Sequence, residues 1–250
     1  MTSIALQLYA VREALAADTP GTLSAIAEMG FAGVELYHAN YERPASQWRA
    51  WLAERGLRIC GVHSRLDALL GDAFERTVAF HQELGSTRVV IASMPPERRA
   101  TRQHWIENAA LFNDLAARLH GHGLRLGYHN HVVEFVPLDG ECPWDTLFSR
   151  ATPGVIMQLD MGHALEAGAD PVAVLRQYPG RAETVHLAEF SRANPNALLG
   201  EGDVAWAGVL AAIRETGATQ WLIVEQETYP YPQLECARRC LQNLRRIREQ

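Results

Sequence analysis

Residues 154–190 read GVIMQLDMGHALEAGADPVAVLRQYPGRAETVHLAEF. GVIMQLD (154–160) is a short apolar run that ends on a carboxylate. A helix follows over about 170–178, and ETVHLAEF (183–190) is a second apolar run carrying His186 and Glu189. Strands that are apolar along their whole length, joined by a helix, pair in parallel and are covered on both faces. Outward from this unit the same alternation continues. Towards the N-terminus the strand runs are 4–9, 33–36, 58–63, 88–93 and 124–131, and towards the C-terminus 220–227. Helices are expected after residue 19, near 45–55, up to Gly85, at 101–120, 143–150 and 204–216, and finally at 232–247. The first has its own signals: Thr19 as N-cap, Pro20 in the first turn and Gly30 just beyond the end. Eight strand-helix units, roughly thirty residues each, predict an α/β fold, a closed (β/α)8 TIM barrel. No Pro/Ser-rich linker interrupts it, so residues 1–250 read as a single domain.

The totals agree. A chain of 250 residues with 48% hydrophobic and 21% charged residues has an ordinary soluble composition and can bury roughly three-quarters of its unfolded surface. Lys plus Arg number 23 and Asp plus Glu 29, a net charge of −6. That balance argues against nucleic acid as a partner, because phosphate backbones select basic surfaces. The four cysteines form no CxxC pair or disulfide pattern, which suits a reducing compartment. No run reaches membrane-spanning length and no signal peptide is legible, so the expected location is cytoplasmic, without a membrane partner.

In this barrel the C-terminal strand ends carry the chemistry. Glu35 ends strand two and His63 strand three. His129, Asn130 and His131 end strand five, with Glu134 just beyond. Asp160 ends strand six with His163 three residues on, strand seven carries His186 and Glu189, and strand eight carries Glu225 and Glu227. So many buried carboxylates and imidazoles at one rim need a cation or close pairing. A mixed oxygen and nitrogen donor set suits Mn²⁺, Mg²⁺, Co²⁺ or Zn²⁺.

Eight motifs in chain order carry a resemblance: LQLYAVRE (6–13), GFAGVEL (30–36), GVHS (61–64), GYHNHVVEF (127–135), QLDMGH (158–163), VHLAEF (185–190), LGEGDVAW (199–206) and IVEQE (223–227). The chain resembles the sugar phosphate isomerase/epimerase group with a xylose-isomerase-like barrel, which includes ketose 3-epimerases and inosose dehydratases. The resemblance implies one divalent metal ion, Mn²⁺ as first choice, held by a Glu, an Asp, a His and a second Glu. Asp160, His186 and Glu225 match the last three. Glu134 is the expected first ligand, with His129 or His131 as the alternative, since the epimerases carry their glutamate where this chain has His129. Glu134, Glu225, His129 and His131 are the expected catalytic acid/base groups. His63, His163, Arg192, Glu35 and Glu189 are expected to bind substrate. Relatives of this kind are often dimers or tetramers, so a homo-oligomer is compatible.

The implied function is carbohydrate metabolism: an isomerase or epimerase of a sugar, sugar phosphate or related polyol ketone, by proton transfer next to a carbonyl. The alternative is a lyase that dehydrates a keto-sugar or inosose at the same site. Many relatives read HLKD on strand seven; here Ala188 replaces the lysine. In LGEGDVAW, Asp203 is expected to cap the helix that follows and Trp206 to pack on the barrel. Tyr9, Tyr37, Trp144 and Tyr229 are candidates to stack on a sugar.

Overall fold

The computed structural model describes residues 2–249. Eight parallel strands form a nearly closed barrel: β1 Ser3–Gln7, β2 Gly33–Leu36, β3 Arg58–Ser64, β4 Arg88–Ile91, β5 Arg125–His129, β6 Ile156–Gln158, β7 Thr184–Leu187 and β8 Trp221–Val224, in the order β6-β5-β4-β3-β2-β1-β8-β7. Around them run α1 Arg12–Ala17, α2 Thr19–Met29, α3 Ala45–Glu54, α4 Ala73–Leu84, α5 Arg102–Gly121, α6 Pro143–Phe148, α7 Met161–Glu166, α8 Pro171–Gln177, α9 Trp206–Thr216 and α10 Gln233–Glu249. The β6–β7 seam closes without a regular ladder. Met157 N donates to Arg181 O at 2.9 Å, His186 N donates to Leu159 O at 2.9 Å, and an isolated bridge joins Asp160 to His186.

Every residue of β2, β4, β7 and β8 is buried, as strands enclosed on both faces must be. Alternation divides them. Tyr128 points outward from β5 against Trp105 and Phe112 of α5. Its neighbours Gly127 and His129 therefore point into the lumen. Gly33 is needed where it stands, because a Cβ there would lie 2.3 Å from the Arg58 carbonyl oxygen. At the floor of the barrel Arg88 donates to Glu183 at 3.2 Å, to the Cys60 carbonyl at 3.3 Å and to Gln220 at 2.5 Å.

Local details differ from the sequence expectations in instructive ways. Asp18, not Thr19, caps α2: its Oδ1 accepts from Gly21 N at 2.9 Å, while the Thr19 hydroxyl turns back to the Leu15 carbonyl. Asp203 does not cap α9, which starts after Ala205 without a side-chain cap; its Oδ2 accepts instead from Arg192 N at 2.9 Å. Trp206 is buried as expected. Trp144 is fully buried against Phe148 and Tyr128 and belongs to the core rather than to the mouth. Helix α7 was not foreseen; it begins immediately after Asp160, which caps it.

Candidate functional site

The C-terminal strand ends collect four potential ligands from four consecutive strands. One donor atom each from His129, Asp160, His186 and Glu225 lies within 4.8 Å of all the others. All four residues are buried. Asp160 is fixed on both sides of its peptide by Asn130, whose Oδ1 accepts from Asp160 N at 2.8 Å and whose Nδ2 donates to Asp160 O at 3.2 Å. Its Oδ1 accepts from His163 N at 2.7 Å as the cap of α7, and its Oδ2 has no hydrogen-bond partner. His129 Nδ1 is likewise buried and unpartnered. Buried polar atoms left unpaired are rare and costly. Two of them on residues of one cluster of carboxylates and imidazoles are an arrangement that a divalent cation suits, and the donor set fits one.

Beneath the cluster lies a hydrogen-bonded floor. Glu35 is fully buried. It accepts from Gln7 Nε2 at 2.9 Å and Gln158 Nε2 at 2.8 Å, and its Oε2 lies 2.6 Å from His186 Nε2 and 3.1 Å from His63 Nε2. Gln158 Nε2 also reaches Thr184 Oγ1 at 2.9 Å, and its Oε1 lies 2.6 Å from His63 Nε2. The other nitrogen of His186, Nδ1, lies 2.6 Å from Glu225 Oε2. The His186 ring stacks on that of His63 at 4.9 Å.

The electrostatics follow from this packing. Burial alone would lower the His186 pKa, but the flanking carboxylates of Glu225 and Glu35 outweigh it and raise it to about 10. Burial would raise Glu35, yet His63 and His186 hold it below the ordinary carboxylate range. Burial also raises Asp160, and it pushes His129 well down, assisted by the neighbouring imidazoles. A neutral His129 offers a lone pair.

The expected site residues separate into groups. Asp160, His186, Glu225 and His129 come together. Glu134 does not join them. Its carboxylate accepts from Tyr128 Oη at 2.7 Å and from His131 N at 2.8 Å. Tyr128 faces the helix layer, so Glu134 is held there, while strand parity aims His129 inward. Glu35 is buried beneath the cluster with its oxygens occupied, whereas His63 is buried beside the cluster and lines the larger cavity. Glu189 is also engaged, accepting from Gly200 N and Trp206 Nε1 at 2.7 Å each, Phe190 N at 3.0 Å and Val204 N at 3.2 Å. It ties down the loop after β7. Arg192 is exposed on that loop and lines neither cavity at the mouth. His131 and His163 face each other with ring centroids 5.1 Å apart, and His163 Nε2 lies 3.7 Å from Glu227 Oε2. Gln7 and Gln158 were not singled out from the sequence, and Asn130 was named only as a strand-end residue. For Gln7 and Gln158 the position on an inward strand face was the available signal.

Two cavities meet at this cluster. The larger, 620 Å³, extends over β3 and β4 past Tyr9, Tyr37 and His63; the smaller, 230 Å³, lies over β7 beside His163. Glu225 and Glu227 line both.

An eight-stranded parallel barrel with a polar, ligand-rich mouth defines the chain as a TIM-barrel enzyme. More particularly, it belongs to the xylose isomerase-like TIM barrel family, whose model matches residues 23–247. It is 28% identical over 254 residues to a rhizopine catabolism protein of Rhizobium meliloti, covering 86% of this chain and 77% of that protein. It is 26% identical over 249 residues to an inosose dehydratase of Geobacillus kaustophilus, covering 83% and 80%. A sugar phosphate isomerase/epimerase structure from Parabacteroides distasonis superposes with a TM-score of 0.86 at 20% identity, covering 98% of this chain and 94% of that one. Among the described residues no helix is long and apolar enough to cross a membrane.

Proposed function

We propose that the protein is a metal-dependent dehydratase of a small polyhydroxylated ketone, of the inosose type. One observation carries the choice of reaction: His129, an imidazole, stands at the fourth corner of the cluster where the epimerase pattern has a carboxylate. At the opening the facing imidazoles His131 and His163 stand beside Glu225 and Glu227. The similarity to an inosose dehydratase over most of both chains supports the same reading.

Asp160, His186, Glu225 and His129 would hold the divalent ion, which when bound supplies Lewis acidity to a substrate carbonyl. Glu35 fixes the Nε2 side of His186 and leaves Nδ1 for the cluster. Tyr9 and Tyr37 wall the larger cavity. Of the pair His131 and His163, one removes the proton on the carbon next to the carbonyl. The other protonates the hydroxyl on the following carbon as its C–O bond breaks. One C–H and one C–O bond are lost, one C=C bond forms and water leaves, with no change of redox state.

Glu225, which lines both cavities, favours a second reading. A carboxylate reachable from two sides can return the proton to carbon, giving isomerisation or epimerisation from the same first step. Incubation of the Mn²⁺-loaded protein with an inosose in D₂O separates the two. Loss of one water supports the dehydratase; solvent deuterium in a product of unchanged composition sinks it. The metal itself is tested by elemental analysis. Asp160→Asn and Glu225→Gln should each lose bound metal, and full retention in both would refute the cluster as its site.

A further inference from the structure

The larger cavity has a far side that the proposed reaction leaves unused. It is made by the loops after β3 and β4, across the barrel from β7 and β8, and it presents Arg65, Arg98 and Arg99. Arg65 is exposed and paired with Asp67 at 3.3 Å. The other two differ. Arg98 and Arg99 are part-buried, and among the described residues neither has an acidic partner within 4.0 Å. Arg98 is held at both ends by Asn108, a fully buried residue of α5: Arg98 Nε donates to Asn108 Oδ1 at 3.1 Å, and Asn108 Nδ2 donates to the Arg98 carbonyl at 2.8 Å. That clamp uses one of five guanidinium donors and leaves the terminal nitrogens free. The Arg99 carbonyl is anchored by Trp105 Nε1 at 3.2 Å, and among the described residues its side chain makes no hydrogen bond.

Glu97, Asp67, Glu225 and Glu227 also line this cavity. Asp67 is engaged by Arg65, and Glu225 belongs to the cluster. Arg98, with its side chain anchored, and Arg99, anchored through its backbone, then line the cavity without an acidic partner, beside Glu97 on the same loop and with Glu227 on the β8 side. A planar fork of donors, unpaired and in Arg98 pre-oriented by Asn108, is the arrangement that recognises a carboxylate or a phosphate. Its pre-organisation reduces the ordering cost of binding.

We propose that Arg98 and Arg99 form an oxyanion subsite, and that the substrate carries a carboxylate or phosphate remote from its reacting carbonyl. The inference rests on the proposed reading of the site only for where the carbonyl lies, at the Asp160–His186 cluster. It narrows the substrate class from neutral polyol ketones to acidic or phosphorylated ones.

Calorimetric titration of the Mn²⁺-loaded protein with three matched six-carbon ketones tests it: D-fructose, D-fructose 6-phosphate and 5-keto-D-gluconate. At least one anionic ketone should bind about tenfold or more tightly than fructose, as a charge-assisted contact implies. Preference for the phosphate ester alone assigns a phosphate, and preference for the keto acid alone assigns a carboxylate. In the double variant Arg98→Gln/Arg99→Gln the preference should collapse to near unity. If the double variant unfolds, Arg99→Gln alone, which breaks no side-chain hydrogen bond, should still cut the ratio severalfold. Equal affinity for all three ketones, or a preference that survives loss of both arginines, would overturn the subsite and leave the dehydratase reading standing. An anionic preference with no loss of water from any ketone would overturn the dehydratase and leave the subsite.

Discussion

Glu35→Gln isolates what the floor beneath the cluster does. The variant keeps the shape of the side chain and removes its charge. In the native protein the two oxygens receive Gln7 Nε2 at 2.9 Å, Gln158 Nε2 at 2.8 Å and His186 Nε2 at 2.6 Å, with His63 Nε2 at 3.1 Å. A glutamine offers one acceptor oxygen and brings two donor hydrogens. Whichever way the amide is turned, at least one buried donor meets another donor, at a cost of about 1–3 kcal/mol. The charge-assisted bond that orients His186 is lost as well. Removing the outer partner of a ligating imidazole weakens metal affinity by about 10–100-fold, equivalent to about 1.4–2.7 kcal/mol. Titration of metal-free protein with Mn²⁺ against a chromogenic chelator would measure this, with a denaturation curve on the same sample to separate stability from affinity. A variant that unfolds earlier yet takes up Mn²⁺ within twofold of the wild type would refute the orienting role and reduce Glu35 to a packing element.

Three further outcomes are expected. His81 is buried, with Nε2 2.7 Å from Tyr41 Oη and Nδ1 unpartnered, and burial lowers its pKa to about 3. Below about pH 6.5 the unfolded chain binds a proton that native His81 refuses, so its stabilising contribution is complete above that pH. It is lost at about 1.4 kcal/mol per pH unit as the pH falls towards 3. His81→Gln should show a shallower loss of urea stability between pH 6.5 and 4, and identical slopes would count against the idea. Ala218 has φ 70°, a left-handed conformation that favours glycine; Ala218→Gly should raise stability by about 0.5–1 kcal/mol in urea titration. Glu189→Ala strands four donors in the loop after β7 and should cost roughly 2–4 kcal/mol. Limited proteolysis should then cut near Arg192; an intact loop under protease would show that Glu189 is dispensable.

The barrel was legible because its strands are short, apolar runs between helices, and a polar strand end stands out against that background. Asp160, His186 and Glu225 follow from that contrast. The fourth corner did not. HNHVVEF holds three ionisable groups within six residues, and the choice turns on strand parity: Tyr128 is large enough to belong in the helix layer, which aims His129 inward and leaves Glu134 to the tyrosine hydroxyl. Glu35 and Glu189 were expected at the substrate because a carboxylate at a strand end has the same sequence signature whether it meets a ligand or four internal donors. Arg98 carried no signal at all. Its significance depends on Asn108, ten residues away on a helix, and that pairing exists only once the loop after β4 has folded back.

The hydrogen-bonded floor of Gln7, Glu35, Gln158 and Thr184 joins β1, β2, β6 and β7 inside the lumen, beneath the four-residue cluster. The side chains proposed to hold a cation are thus braced by the barrel wall, while the residues proposed to choose a substrate hang from the loops above. Chemistry and selectivity are inherited from separate parts of the chain. Exchanging the segment after β4 for one of different charge should redirect the enzyme to new ketones without rebuilding the centre that activates them.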